Sequence, residues 1–470
     1  MIAVSARALK SKLPDWRQSA GPGYRALADR IRLLIIDGRL APGTRLPAER
    51  ELAAELGVSR TTIAAAYARL REDAFIQSLR GSGSVTRLPV REWGSIDPDE
   101  GLIDLSRAAM PPIPRLTEAM RTAVELLPST LGDTGFDPIG RPELRQAIAA
   151  RYTHRGLPTE PAQIMVTIGA QHAISLLTRT VLARGDRVLI EHPTYPNAID
   201  TLAAAGGRLI PTAVDPEGHW DLPGLEQVVS KGSPALAYLM PDNHNPTGAT
   251  LPTEQLSDAL AIAAAHGTLV IVDETMGELT IDGEARLPAA AYGPAVLVGS
   301  VSKTVWGGVR VGWIRAEPAF IQKLVRARFA SDLGTPVLEQ LAVSTLLPDF
   351  DDILAERIAW LRAGRDHLLG ELAARFPTWT VPVPRGGLTA WAGIGRAASS
   401  QLALAARAGG LAITAGPRFA VDGSFERFIR IPFSRGPEVT GRALAVLEDA
   451  WAAVRGDAVR VPDDAFTAVA

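Results

Sequence analysis

Apolar residues in this chain keep two different rhythms. Tyr24, Leu27, Ile31, Leu34 and Ile35 recur at three- and four-residue intervals, which predicts an amphipathic helix over 23–37. Gly38 ends it, and Ala41-Pro42-Gly43-Thr44 reads as a turn. A second helix starts near Pro47, buries Leu52, Ala53 and Leu56, and stops at Gly57. Ser59 is placed to cap a third, whose apolar face is Ile63, Ala66, Tyr67 and Leu70. Phe75 to Thr86, interrupted by Gly81-Ser82-Gly83, fits a β-hairpin with a glycine-rich tip. Residues 1–20 read as an irregular lead-in. Residues 88–101, with two prolines, charges and Gly94, read as a linker.

From about 102 the rhythm changes to short apolar runs separated by helical stretches. Ile164–Thr167, Val188–Ile190, Ala237–Met240, Leu269–Val272 and Val296–Val301 look like buried strands, with helices at Gln171–Leu182 and Glu254–His266. This alternation predicts an α/β unit, a mostly parallel sheet covered by helices, over 102–350. After about 350 come a long polar helix and strand-like pieces near 379–393 and 425–433, which suggest a smaller C-terminal α+β lobe over 351–470.

Charge sharpens the division. The first 90 residues carry 15 Lys and Arg against 8 Asp and Glu, whereas the remainder is acidic and the whole chain has a net charge of −2. A basic head on an acidic body suits nucleic-acid binding, although small helical heads are often mildly basic. The chain has no cysteine, which removes disulfides, thiolate nucleophiles and Cys-based zinc sites. No signal-peptide pattern opens it and no apolar run reaches membrane-spanning length, so a soluble cytoplasmic protein with neither membrane nor metal as partner is expected.

In a helix-turn-helix the start of the second helix points into the DNA major groove. Here that start is Ser59-Arg60-Thr61-Thr62. Arg60 can read a guanine bidentately and the threonines can meet phosphate or a thymine methyl. Arg45 and Arg50 flank the preceding helix, placed to hold the DNA backbone, and Gly83 lets the hairpin tip approach a groove. The competing reading is a three-helix cap with solvated arginines. The string RLPAERELAAELGVSRTTIAAAYARLREDAFIQSLRGSGSVT resembles the GntR family of bacterial regulators along its length. That resemblance implies a winged helix-turn-helix over 1–87 with double-stranded operator DNA as partner.

The body carries a second set of chemical groups. Lys303, in VGSVSKTVWGGVRVGW, follows an apolar strand, and a lysine in a partly dry pocket becomes a usable amine. Arg310 lies seven residues on, with Gly307 and Gly308 between, and offers the bidentate fork that suits phosphate. Ser300 and Ser302 are further hydroxyl donors. Asp273 closes a strand, where its carboxylate can face a pyridine nitrogen or simply cap a loop. Asn245, in NHNPTGAT, can donate to a ring oxygen or serve an Asx-type turn. Gly169-Ala170-Gln171 opens a helix, whose free N–H groups favour phosphate, yet a glycine at a strand–helix junction is usually structural. Tyr195 can stack on a ring or fill a rim. Arg430, in FIRIPFS, can take a carboxylate by two points or form an ordinary ion pair. Together these are the groups that pyridoxal phosphate requires: an amine, a phosphate anchor, an acid at the ring nitrogen, a donor to the ring oxygen and a flat face.

In this order and spacing the residues resemble the fold-type-I aminotransferases over about 102–455. With the head included, the chain resembles the MocR-type subgroup of the GntR regulators. The resemblance implies that Lys303 forms the internal aldimine and that Asp273 faces the ring nitrogen. It further implies Asn245 at the ring oxygen, Arg310 with Ala170 and Gln171 at the phosphate, and Arg430 at a ligand carboxylate. Many members place a tyrosine two or three residues after the strand-end Asp. Here Thr275 and Met276 stand there, which removes one donor to the ring oxygen. The expected function is a transcriptional regulator that senses an amino acid or amine through external aldimine formation at the cofactor. The alternatives are an active aminotransferase with an accessory DNA-binding head, and a sensor of the vitamin itself. A homodimer is expected, since such pockets are usually built between two subunits.

Overall fold

The computed structural model describes residues 3–13, 16, 22–36, 39–79, 83–87, 101–132, 134–215 and 220–456. Gly38, Gly81, Ser82 and the expected linker, Gly101 excepted, lie outside the described residues. In the head, helices Gly23–Ile36, Glu49–Leu56 and Arg60–Glu72 bury Leu27, Ile31, Ile35, Leu52, Ile63 and Leu70 in one core. Gly57 makes the turn between the second and third at φ 64°, a left-handed conformation that glycine adopts without a Cβ penalty. Ser59 Oγ then accepts from Thr62 N at 3.1 Å and caps the third helix. Strands Ile76–Leu79 and Gly83–Thr86 pair antiparallel as the wing.

The lead-in is not irregular throughout. Ala6–Lys10 is a helix capped by Ser5, with Leu9 buried and Lys10 paired to Glu55 at 3.1 Å. Five residues are too few to show a helical period in sequence.

The body is built on a seven-stranded sheet in the order 164–167, 312–315, 296–300, 269–273, 236–239, 187–192, 208–213. All neighbours are parallel except Gly312–Arg315, which runs antiparallel to both of its own. The central strands are buried along their length because helices cover both faces, which is why they read as continuous apolar runs. The smaller lobe pairs strand Phe428–Pro432 with Thr389–Gly393 and Thr414–Ala415, and helices Phe350–Arg375, Ser399–Ala408 and Pro437–Arg455 pack around it. Of the strand-like pieces expected around 379–393, the strand formed is Thr389–Gly393. Pro382 and Pro384 lack the N–H a ladder needs.

The head sits on this smaller lobe, a contact that the sequence did not announce. Helix Gly23–Ile36 packs against Ser399–Ala408, and the buried Arg30 ion-pairs with the buried Glu426. Arg30 also donates to Ser400 Oγ at 2.6 Å and to Gly423 O at 2.5 Å, while Glu426 accepts from Ser399 Oγ and Ser400 N, each at 3.0 Å. Arg39 donates to Pro417 O at 3.1 Å. Among the described residues, no helix is long and apolar enough to cross a membrane.

Candidate functional site

In an open, mainly parallel sheet, ligands sit beyond the carboxyl ends of the strands. A cavity of about 160 Å³ lies there, lined by Ala170, Gln171, Tyr195, Asn245, Asp273, Ser302, Lys303 and Arg310 among others. It shares Tyr195, Asn245, Lys303 and Ala109 with a larger chamber of about 550 Å³ that adds Arg430, Arg418, Phe419 and Thr414. Of the body residues singled out in the sequence, the two spaces together gather all but Gly169 and Ser300.

Those two stand behind the wall, for different reasons. Ser300 Oγ donates to Val311 O at 2.9 Å and accepts from Ser302 N at 3.1 Å, so its hydroxyl is engaged within the turn. Gly169, at φ 76°, makes room for Arg310. A Cβ there would meet the Arg310 guanidinium at 2.6 Å. Arg310 itself has φ 55° and donates to Ile168 O at 3.1 Å and Gly307 O at 3.3 Å. Its guanidinium thus faces the start of helix Gly169–Val181, whose first turn carries free N–H groups. The Gln171 side chain points away to Thr201 Oγ1 at 2.7 Å, leaving its backbone toward the cavity.

Asp273 is buried at the end of its strand and held by two donors. Its Oδ2 accepts from Tyr238 OH at 2.7 Å and its Oδ1 from Thr275 N at 3.0 Å. Tyr238 was not singled out in the sequence, where it is one of many apolar-run residues. Burial and then the Asp273 charge push its phenol far above the usual range, so it remains a donor. Burial, followed by repulsion from Arg430, lowers the Lys303 amine to about 8, against the opposing pull of Asp273. Lys303 Nζ donates to Ala108 O at 2.5 Å. Nothing in the sequence around Ala108 marked it.

Arg430 is 5% exposed and, among the described residues, has no carboxylate partner. It donates to Ser106 O and, at 3.4 Å, to Asn245 Oδ1, and lies 5.0 Å from the centroid of the Phe419 ring. Burial brings it down to about 10. A buried guanidinium of this kind calls for an anionic ligand. With its oxygen turned to Arg430, Asn245 keeps its NH₂ as a donor for the cavity. Tyr195 lines both spaces and accepts from Asn197 Nδ2 at 3.0 Å, and burial raises its phenol.

This donor set suits pyridoxal phosphate. It offers an amine lowered toward neutrality, a carboxylate held by two donors, a cationic fork beside a helix start in a cradle that favours glycine at 169, and a flat phenol. Thr275 and Met276 line the cavity, and no phenol stands at either position.

On the head, Ser59, Arg60, Thr61, Arg45, Arg50 and Gly83 are exposed and Thr62 is half-buried. Ser59 Oγ lies 2.7 Å from Thr61 Oγ1 and 2.8 Å from Thr62 Oγ1. Among the described residues Arg60 has one loose charged neighbour, Glu49 at 3.6 Å, and its side chain is 73% exposed. Leu46 N donates to Ser84 O at 2.9 Å, which ties the wing to the segment bearing Arg45.

Comparison with known proteins agrees with this two-part construction. Residues 106–447 match the model of aminotransferase class I and II, and residues 23–86 match that of bacterial regulatory proteins, gntR family. The vitamin B6 salvage pathway transcriptional repressor PtsJ of Salmonella typhimurium is 32% identical, with 77% of this chain and 83% of that protein covered. The 2-aminoadipate transaminase of Thermus thermophilus is 30% identical, over 76% of this chain and 91% of that protein. The crystal structure of LysN, the α-aminoadipate aminotransferase of Thermus thermophilus, solved with N-(5'-phosphopyridoxyl)-L-leucine, superposes with a TM-score of 0.69 at 28% identity. It covers 76% of this chain and 94% of that one. The chain belongs to the aminotransferase class I and II family, carries a gntR-family DNA-binding head, and is thereby a MocR-type regulator with a pyridoxal-phosphate domain.

Proposed function

We propose that this regulator binds operator DNA through the first turn of helix Arg60–Glu72 and adjusts that binding to an amino acid or amine received at Lys303. When bound, pyridoxal phosphate supplies an aldehyde carbon and an electron-withdrawing ring. Lys303 holds the cofactor through its ε-amine, which the dry, cationic surroundings keep partly unprotonated. Asp273, fixed by Tyr238 and Thr275, keeps a proton at the ring nitrogen. Asn245 donates to the ring oxygen, Tyr195 lies against the ring face, and Arg310 with the N–H groups of Ala170 and Gln171 holds the phosphate. Arg430 takes the carboxylate of the incoming amino acid. Lys303, once displaced, has Ala108 O as its partner.

The observation that carries this reading is a shared wall. The turn Gly416–Phe419 sets Phe419 against Arg430 in the chamber, while its Pro417 carbonyl accepts from Arg39 of the head. A ligand that reorders Arg430 and Phe419 therefore acts on a segment the head is tied to. It shifts DNA affinity only as far as it prefers one arrangement over the other. A second copy of the chain is the expected partner. Leu131, Phe136, Phe329 and Leu333 are 45–70% exposed, and Gly334 lies against the Asp137 backbone, which brings the segments bearing Phe136 and Leu333 together. A monomeric mass by light scattering at micromolar concentration would remove this element.

Two other readings have support. The clustering of Lys303, Asp273 and Asn245 and the likeness to a 2-aminoadipate transaminase favour transaminase turnover. The likeness to a vitamin B6 salvage repressor favours the cofactor itself as effector. The deciding experiment selects a high-affinity site from random DNA and measures affinity for it with apoprotein, with pyridoxal phosphate, and with an amine added. A further change on adding amine, with little turnover of donor and keto acceptor, supports the proposal. A change complete with the vitamer alone supports the third reading, and brisk turnover without any change in affinity supports the second.

A further inference from the structure

The chamber's charge is unbalanced in a way that one α-carboxylate does not correct. Four of the side chains that line it are cationic, Arg107, Lys303, Arg418 and Arg430, and none is acidic. Arg430 accounts for one carboxylate and Lys303 for the amine. Arg107 stands at the mouth with its side chain 84% exposed and a loose neighbour in Asp104, so water screens it. Arg418 is different. It is 14% exposed and is held from outside the chamber by Asp200, which accepts from its Nη2 at 2.6 Å. Among the described residues its side chain has no other hydrogen bond or ion pair, so Nε and Nη1 are unengaged in a residue that lines the chamber. Asp200, on helix Pro196–Ala204, is 51% exposed and can turn to water.

We propose that the effector is an amino acid with a second carboxylate, taken by Arg418 while Arg430 takes the first. The inference rests on reading this chamber as the effector site. Two largely buried guanidinium groups, Arg430 at 5% and Arg418 at 14% exposed, bind a dianion far better than the same molecule with one charge masked, because each charge-assisted contact pairs a cation that water reaches poorly. The second carboxylate also competes with Asp200 for Arg418. That exchange lies at the head, since Lys12 stands within the fields of both Asp200 and Arg418 and the neighbouring Pro417 carbonyl is held by Arg39. A side-chain charge on the effector is therefore felt where the head docks.

The test titrates full-length protein loaded with pyridoxal phosphate, following its visible absorbance band. Aspartate, glutamate and 2-aminoadipate are each compared with the corresponding side-chain amide. The best acid is expected to bind at least tenfold tighter than its amide, and Arg418→Gln to narrow that gap to threefold or less. If Arg418→Gln does not fold, Asp200→Asn serves instead. Removing the competitor is expected to widen the preference for the acid at least threefold, and an unchanged or smaller preference overturns the assignment of Arg418. An amide that binds wild type as tightly as its acid overturns the proposal and leaves the amine-effector reading standing. No response to any amine removes that reading, and this proposal with it.

Discussion

The cofactor cavity and the DNA-facing surface of the head use similar side chains under opposite conditions. In the cavity, Asp273, Arg430 and Lys303 are held by two or more protein groups or pressed into a dry space, and the Lys303 and Arg430 pKa values move accordingly. On the head, Arg45, Arg50 and Arg60 are exposed, and Arg60 meets Glu49 loosely at 3.6 Å. The contrast follows from the ligands. A small cofactor gains affinity from groups whose orientation is fixed before it arrives. DNA brings its own array of charges and orders long side chains by contact and counterion release. The interface of the head with the smaller lobe belongs with the cavity in this respect, because the Arg30–Glu426 pair is buried and ringed by Ser399, Ser400 and Gly423.

Mutations can break this contrast, and the largest effect belongs to the cavity. Lys303→Ala should abolish the visible band that forms with pyridoxal phosphate and leave basal DNA binding in place. A persisting band assigns the amine elsewhere. Glu426→Ala leaves a buried guanidinium without its partner and should cost about 3–5 kcal/mol, seen in calorimetry as early, separate unfolding of the head. A single unshifted transition would mean that the head is not held there. Arg60→Ala should weaken operator binding by about 1–3 kcal/mol if the side chain reads a base, with folding untouched. No loss at moderate salt would place Arg60 among the merely solvated residues. Gly169→Ala should lower cofactor affinity by roughly tenfold, since left-handed backbone costs about 1–2 kcal/mol in an L-residue and the new methyl meets Arg310. Unchanged affinity would show that the fork has room to move.

The mildest perturbation is pH. Because the Lys303 amine is lowered to about 8, the neutral form grows as pH rises toward that value. The rate of cofactor capture should climb from pH 6 through 8 and level off by about pH 9. A rate still climbing between pH 9 and 10 would mean that the dry cavity does not depress the amine.

The head helices and the parallel strands were legible in the sequence because each buries a regular set of apolar residues, as Ile63, Ala66, Tyr67 and Leu70 do on one helix and Ile164–Thr167 do on one strand. What escaped depends on partners distant in the chain. Gly312–Arg315 holds only two apolar residues, Trp313 and Ile314, too few for an apolar run, and takes its place from the neighbours it pairs with. Tyr238 gains its meaning only from Asp273, 35 positions away, and Ala108 from a lysine 195 positions on. Arg30 reads as a polar residue on an amphipathic helix, and only its position against Glu426 makes it a buried anchor. Ser300 had the right type and place in sequence, but its hydroxyl bonds Val311 within the turn.

The claim that the chamber governs the head is most directly tested by fluorescence anisotropy on a selected DNA site. The protein is loaded with pyridoxal phosphate and measured with and without a saturating amine, in wild type and Lys303→Ala. The account predicts at least a threefold change in DNA affinity on adding amine to wild type and none in the variant. Superimposable wild-type curves, recorded while the visible band shows that the amine has bound, would contradict it.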